Sequence, residues 1–264
     1  MDLLKRELAP ITDAAWDEIN EQSKEIFKTD LSARKFVDIE GPKGLEFSAV
    51  PTGRLEIPDK QVAGELLFGI RELQPVVEVR SAFTLDLWEL DNIERGAGDV
   101  NLDALEKAAR RLADFEEKAI YNGLKKANIR GLKQTSGHPP VNFAEKPEDI
   151  LHTVVEAVTR LKTVSIEGPY SLILDAERWG KVSAIVNGYP LRLQLEQVLG
   201  GSLIFAPHID GAFVVSMRGG DFRLTLGQDI SIGYEMHTQK NVQLYFTEAF
   251  TFRALDPDAI IYMK

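Results

Sequence analysis

The chain has 264 residues, of which 44% are hydrophobic and 27% charged, with no cysteine and 31 basic against 41 acidic residues for a net charge of −10. Length and apolar fraction suit a globular chain that buries a sizeable core, while the acidic balance argues against nucleic acid or an anionic membrane surface as main partner, since both need clustered cations. Disulfides, thiolate nucleophiles and thiolate-bound metals are excluded; Lys5, Arg6 and Glu7 interrupt any signal-peptide core, no apolar run nears the roughly 18 to 20 residues that span a bilayer, and the expected location is cytoplasmic.

Pro10 sets residues 1–9 apart as an arm whose Leu3, Leu4 and Leu8 must pack on the chain's own core or on a neighbour. Thr12 and Asp13 sit where a cap belongs for a helix in which Trp16, Ile19, Ile26 and Phe27 recur near helical spacing. Residues 41–76 are punctuated by glycine and proline, and the runs Leu45–Val50 and Arg54–Ile57 are candidates to pair as a hairpin. So broken a stretch makes a poor core; it is either an excursion stabilised by other subunits or an ordinary surface hairpin.

From Val77 to Trp88 apolar Val77, Val79, Phe83, Leu85 and Leu87 alternate with polar residues, which predicts a half-buried strand. After a turn through Gly96 and Gly98, Asn101 or Asp103 can cap the longest helix, striped by Leu102, Leu105, Ala109, Leu112, Phe115, Ala119, Ile120 and Leu124, with Gly131 as its stop. Residues 133–147 are turn-rich, and Pro147 suits the first turn of a helix carrying Ile150, Leu151, Val154, Val155, Val158 and Leu161. A strand Tyr170–Asp175, a helix Glu177–Val186, a turn Asn187-Gly188-Tyr189-Pro190 and an amphipathic segment Leu191–Leu199 follow. Strands at Leu203–Ala206, Ala212–Met217, Phe222–Leu226, Ile230–Tyr234, Val242–Leu255 and Ala259–Met263 complete an α+β chain without internal repeats.

Chemistry is sparse. The four histidines (His138, His152, His208 and His237) have no metal-motif spacing. His152 reads as a structural helix residue, and His208 has Asp210 as its nearest candidate partner. There is no nucleophile elbow, Walker loop or dinucleotide fingerprint, and Gly200-Gly201-Ser202 and Gly219-Gly220-Asp221 read as turns. Asp86, Glu89, Asp91 and Glu94 could hold a cation or act as acid and base; more often such a run is a solvated face or pairs with arginines such as Arg80 and Arg95. No catalytic residue, no metal site and no required cofactor are expected.

Longer blocks are more specific: Phe83–Asn92 continuing to Glu94-Arg95-Gly96; Gly219–Glu235; Leu4-Lys5-Arg6 with Ala9-Pro10; Glu25–Thr29; Arg34–Asp38 and Glu40-Gly41-Pro42; Ile166–Tyr170; and Thr247–Phe252. Taken in their order along the chain, from the first ten residues to the last strand, they resemble the encapsulin nanocompartment shell proteins. The resemblance implies the HK97 phage-capsid-like fold. Residues 1–42 would form the N-terminal arm, helix and start of the peripheral domain, and 43–77 an extended loop. Residues 78–134 would be the peripheral domain with a spine helix over 102–126, 135–220 the apical domain, 221–253 the peripheral return and 254–264 an apical strand.

The implied function is self-assembly, in about 60 copies for the simplest closed shell, into an icosahedral container for a cargo enzyme, a ferritin-like iron oxidase or a peroxidase, that docks by a short terminal peptide. Positions matching the family's docking groove are Phe27, Leu31, Arg34, Asp38, Asp229, Ile230 and Tyr234; the alternative for Phe27 and Ile230 is plain core packing. The turn at Asn187, Gly188 and Tyr189 matches the five-fold pore that passes small solutes or iron, and here, flanked by Lys181 and Arg192, it carries no histidine or acid at its tip. In some members a flavin lies near the tryptophan matching Trp88, with the arginine matching Arg80 beside it; the alternative is a packed tryptophan. Competing readings are a phage major capsid protein, which would package DNA, and a bacteriocin- or protease-like protein, for which no nucleophile with its base is found.

Overall fold

The computed structural model describes residues 3–59, 66–186 and 188–264. The arm makes one 3-10 turn (Arg6–Leu8), and Thr12 caps helix α1 (Asp13–Asp30) by accepting the Ala15 N–H at 3.2 Å. Strand β1 (Asp38–Glu40) follows, then β2 (Ala49–Glu56), β3 (Ile70–Pro75) and β4 (Val77–Asp86), then α2 (Leu87–Glu94) and α3 (Asp103–Asn122). A short α4 (Leu132–Thr135) leads to α5 (Pro147–Thr163), β5 (Tyr170–Leu174), α6 (Ala176–Val182), β6 (Ile185–Val186), β7 (Tyr189–Pro190) and α7 (Leu191–Leu199). Strands β8 (Leu203–Phe205), β9 (Ala212–Ser216), β10 (Phe222–His237), β11 (Asn241–Ala254) and β12 (Ile260–Met263) close the chain.

Two four-stranded sheets organise these elements. One has the order β1-β10-β11-β4, with β1 parallel to β10 and the rest antiparallel. Helices α1 and α3 pack on it through Ile19, Ile26, Leu105, Leu112, Phe83, Leu244 and Phe246. The other has the order β12-β9-β5-β8, is buried through most of its length, and packs against α5 and α7 through Val154, Leu161, Leu172, Leu195 and Val214. The chain enters the second sheet after α4 and returns through β10, and β12 goes back to it. Helices β-strands and turns follow local rules: Pro147 opens α5 at its first turn, where no N–H is needed.

The antiparallel pair β2–β3 stands apart as a two-stranded ribbon. Its Leu55, Ile57, Leu67 and Leu73 are exposed.

Several expectations are corrected. Leu45–Val50 and Arg54–Ile57 do not pair with each other; the end of the first run and most of the second belong to one strand, β2, whose partner is β3. The strand expected to Trp88 ends at Asp86, whose carboxylate accepts the Trp88 and Glu89 N–H groups and starts α2, a helix the alternation concealed. The spine helix stops at Asn122 rather than near residue 126, because Gly123 turns the chain with φ +82° long before Gly131. Neither Asn101 nor Asp103 is its N-cap; Leu102 holds that position, with the Asn101 side chain accepting the Asp103 N–H at 3.1 Å. The helix expected over Glu177–Val186 ends at Val182. Phe222–Leu226 and Ile230–Tyr234 belong to one strand, which stays paired with β11 on either side of the register shifts around Gln228.

Candidate functional site

Where α1 ends against β10, a groove of about 580 Å³ opens. Its apolar lining comes from Phe27 and Leu31 of the helix end, Ile230 and Ile232 of β10, Phe246 of β11 and Leu4 of the arm. Phe27 meets the Phe246 ring edge-on at 5.3 Å, so it packs on the core while one side lines the groove. The arm is a wall of this groove: the Tyr234 N–H donates to the Leu4 carbonyl at 2.8 Å, and the Arg6 guanidinium lies 4.0 Å over the Trp16 ring. Lys24, Lys28, Lys35 and Arg6 form a cationic rim.

Arg34 sits at the end of the groove on a bed of carboxylates. Its Nε and Nη2 donate to Glu116 at 3.0 and 2.7 Å, Nη2 also reaches Glu248 at 2.6 Å, and Nη1 donates to Asp229 at 2.8 Å. Glu116 and Glu248 are fully buried, while Asp229 is exposed. One guanidinium cannot fully neutralise two buried carboxylates while also pairing with Asp229 at the surface. Burial, with the Glu116 charge beside it, pushes Glu248 well above the usual carboxylate range, against the pull of Arg34. Burial alone would lower Arg34, but Glu116 and Glu248 outweigh it and raise the guanidinium further. Arg34 therefore acts less as a free cation than as a brace. It fixes Asp229, whose Oδ1 also accepts the Ile230 N–H at 2.8 Å, so that the carboxylate stands at the groove's lip as an acceptor.

A second network pins the turn below α1. Glu117 accepts the Ser32 hydroxyl, and the Ala33 N–H at 2.9 Å, while Ser32 and the Tyr121 hydroxyl are 2.8 Å apart. Burial pushes Glu117 up to about 8, opposed by the Ser32 and Ala33 hydrogen bonds.

Five of the seven expected docking residues thus line one groove: Phe27, Leu31, Arg34, Asp229 and Ile230. Asp38 does not. It lies at the start of β1 and accepts the Gly220 N–H at 2.6 Å, holding the glycine turn before β10. Tyr234 contributes its backbone to the arm, and its hydroxyl hydrogen-bonds His237 Nδ1 at 2.6 Å. Glu116, Glu117 and Glu248 were not singled out from sequence, although a signal exists. Glu116 lies four residues from both Leu112 and Ile120, on the apolar stripe, and Glu248 shares a strand face with Phe246 and Phe250. A carboxylate in an apolar register needs a buried partner.

His208 does not pair with Asp210. Its Nε2 is 3.0 Å from Asp30 at the end of α1 and its Nδ1 is 3.6 Å from Asp114 of α3, so it ties the loop after β8 to both helices. His152 is exposed. Of the carboxylate run, Asp86 caps α2 and Asp91 pairs with Arg95 at 3.8 Å. Among the described residues no cluster of three or more potential ligands could hold a metal, and no helix is long and apolar enough to cross a membrane.

At the expected pore turn, Gly188 and Tyr189, the first residue of β7, are exposed, and Asn187 lies outside the described residues. Gln194 of α7 supports the turn through the Val186 and Tyr189 carbonyls. The flanking cations are paired, Lys181 with Glu145 and Glu177 at 2.8 and 2.9 Å and Arg192 with Glu196 at 3.1 Å.

Trp88 is 71% exposed on α2, so the chain's own core does not cover the indole. Arg80 is occupied, paired with Glu78 at 2.9 Å and 4.9 Å over the Tyr245 ring.

Residues 1–251 match the family described as "Encapsulating protein for peroxidase". Type 1 encapsulin shell proteins of Rhodococcus erythropolis and Mycobacterium tuberculosis are 39% and 38% identical, covering 99% and 100% of this chain and 99% and 100% of their own length. One from Brevibacterium linens is 40% identical over 99% of this chain and 98% of its own. Among solved structures, the virus-like particle of Pyrococcus furiosus superposes with a TM-score of 0.69 at 20% identity, over 94% of this chain and 98% of the other. The capsid of a native GTA particle does so with 0.58 at 14%, over 89% and 96%. At such identities the structural matches speak for the capsid fold alone.

Proposed function

The chain belongs to the family of type 1 encapsulin shell proteins and has the HK97 capsid-like fold, and from that premise we propose that about 60 copies close into a hollow icosahedral container that retains a peroxidase, or a ferritin-like enzyme, through a peptide seated in the groove between α1 and β10. The groove itself carries this reading. Its Phe27, Leu31 and Ile230 offer apolar area to the peptide's anchor side chains, and Asp229, braced by Arg34, accepts hydrogen bonds from its backbone or side-chain donors. In such a particle the turn around Gly188 and Tyr189 would border a pore for small solutes. The subunit's role is containment in the cytoplasm, and the chemistry belongs to the cargo. Family membership leaves the phage-capsid reading as a shared fold, and the protease reading without a nucleophile.

The test is expression alone, followed by negative-stain electron microscopy and native mass measurement, then co-expression with a dye-decolourising peroxidase with and without its terminal peptide. Hollow particles of uniform size that retain only the peptide-bearing enzyme are expected. A stable monomer would refute the shell, and equal retention of both enzymes would refute the groove.

A further inference from the structure

Where β3 meets the body of the protein lies a second, smaller cleft of about 130 Å³, lined by Gln74, Asn128, Arg130, Thr135, Phe252 and Arg253 among others. No carboxylate lines it, although the chain as a whole carries a net charge of −10. Arg253 faces Arg223 directly across the β10–β11 pair, an arrangement of like charges that destabilises a sheet. Arg223 is neutralised by Glu40 at 3.2 Å; the Arg253 side chain has no ion pair or hydrogen bond among the described residues. Arg130 has a single long contact, 3.4 Å to the Gln134 carbonyl. The Asn128 amide is likewise without a partner, on a residue held in the left-handed region at φ +54°. Gln74 and Thr135 are already committed to the Ala127 and Gly131 carbonyls.

We propose that this cleft binds a tetrahedral oxyanion of the phosphate class. The two guanidiniums are donors only, the Asn128 amide can turn its NH2 toward the same ion, and guanidinium forks match phosphate oxygens in pairs. A doubly charged ion answers both cations, where a single carboxylate leaves one uncompensated.

Isothermal titration of inorganic phosphate into the assembled protein, in low-salt chloride buffer, tests this beside parallel titrations with acetate and with AMP. Phosphate binds once per chain and more tightly than acetate, added chloride weakens it, and Arg130→Gln and Arg253→Gln each weaken it about tenfold or more. Phosphate without AMP identifies a site for the free ion, and AMP with equal affinity a site for phosphate esters as well; either sustains the oxyanion assignment. Binding no stronger than acetate, or unchanged in both variants, overturns it. So does an absence of binding in the parent together with particle breakdown in Arg253→Gln, which would mark Arg253 as the partner of a neighbouring subunit's carboxylate. Arg130 lies on the exposed loop before α4, so its variant keeps the test open should Arg253→Gln fold poorly.

Discussion

Arg34 and Glu117 are side chains whose surroundings determine what they do. Arg34→Ala leaves Glu116 and Glu248 buried without their cation, a change that costs about 3–5 kcal/mol in comparable buried pairs. Arg34→Lys keeps the charge and loses the fork, and should fall between the two. Thermal melting of the three proteins is expected to rank them in that order, with peptide-bearing cargo lost from Arg34→Ala first because Asp229 is no longer braced. Glu117 makes stability depend on pH. With its folded value raised to about 8, the native state keeps a proton that the unfolded chain releases near 4.5. The stability it contributes is complete below about pH 4.5, declines as pH rises toward 8, and is lost above that. Glu117→Gln keeps an acceptor for the Ala33 N–H and cannot ionise, so its melting temperature should gain on the parent's progressively from pH 5 to pH 8.5. A constant difference across that range would reject the buried neutral carboxyl.

At the scale of elements, the ends of helices decide more than their middles. Asp86 both ends β4 and caps α2. Asp86→Ala should cost about 1 kcal/mol, read as a modest drop in melting temperature without loss of assembly. Gly123 matters more. A Cβ there would lie 2.8 Å from both the Gly131 nitrogen and the Ile129 carbonyl oxygen, on backbone at φ +82°. Gly123→Ala must therefore open the strap that joins α3 to α4, and is expected to give mostly insoluble protein or a melt several degrees lower. A folded variant with unchanged stability would show that the strap is dispensable.

For the whole molecule, the β2–β3 ribbon is the element that a single chain does not account for. A lone two-stranded ribbon is marginal in water, and this one exposes Leu55, Ile57, Leu67 and Leu73. In the proposed shell, neighbouring subunits would cover its apolar side chains. Replacing residues 51–73 with a short glycine–serine linker should leave the two sheets folded, with near-native circular dichroism, while light scattering finds monomers or small oligomers in place of particles. Particles of unchanged mass would show that other contacts suffice.

Local patterns were enough to specify much of this protein. The 3.6-residue stripe of α3, the period-two alternation of β4, the cap at Thr12 and Pro147 at the start of α5 are written in neighbouring residues, because backbone geometry and burial on one face are local constraints. The longer blocks around Phe83–Gly96 and Gly219–Glu235 pointed to the family and, through it, to five residues of the groove. The tertiary structure alone decided the remainder. Which strand pairs with β2, how β10 bridges its irregularity and where His208 finds its carboxylates depend on partners far away in the chain. So does the exclusion of Asp38 from the groove, since it is engaged by a turn 182 residues on. The buried carboxylates show why most clearly. Sequence places Glu116 and Glu248 in apolar registers, but only folding brings Arg34 between them, and only that dry enclosure makes one guanidinium organise three acids.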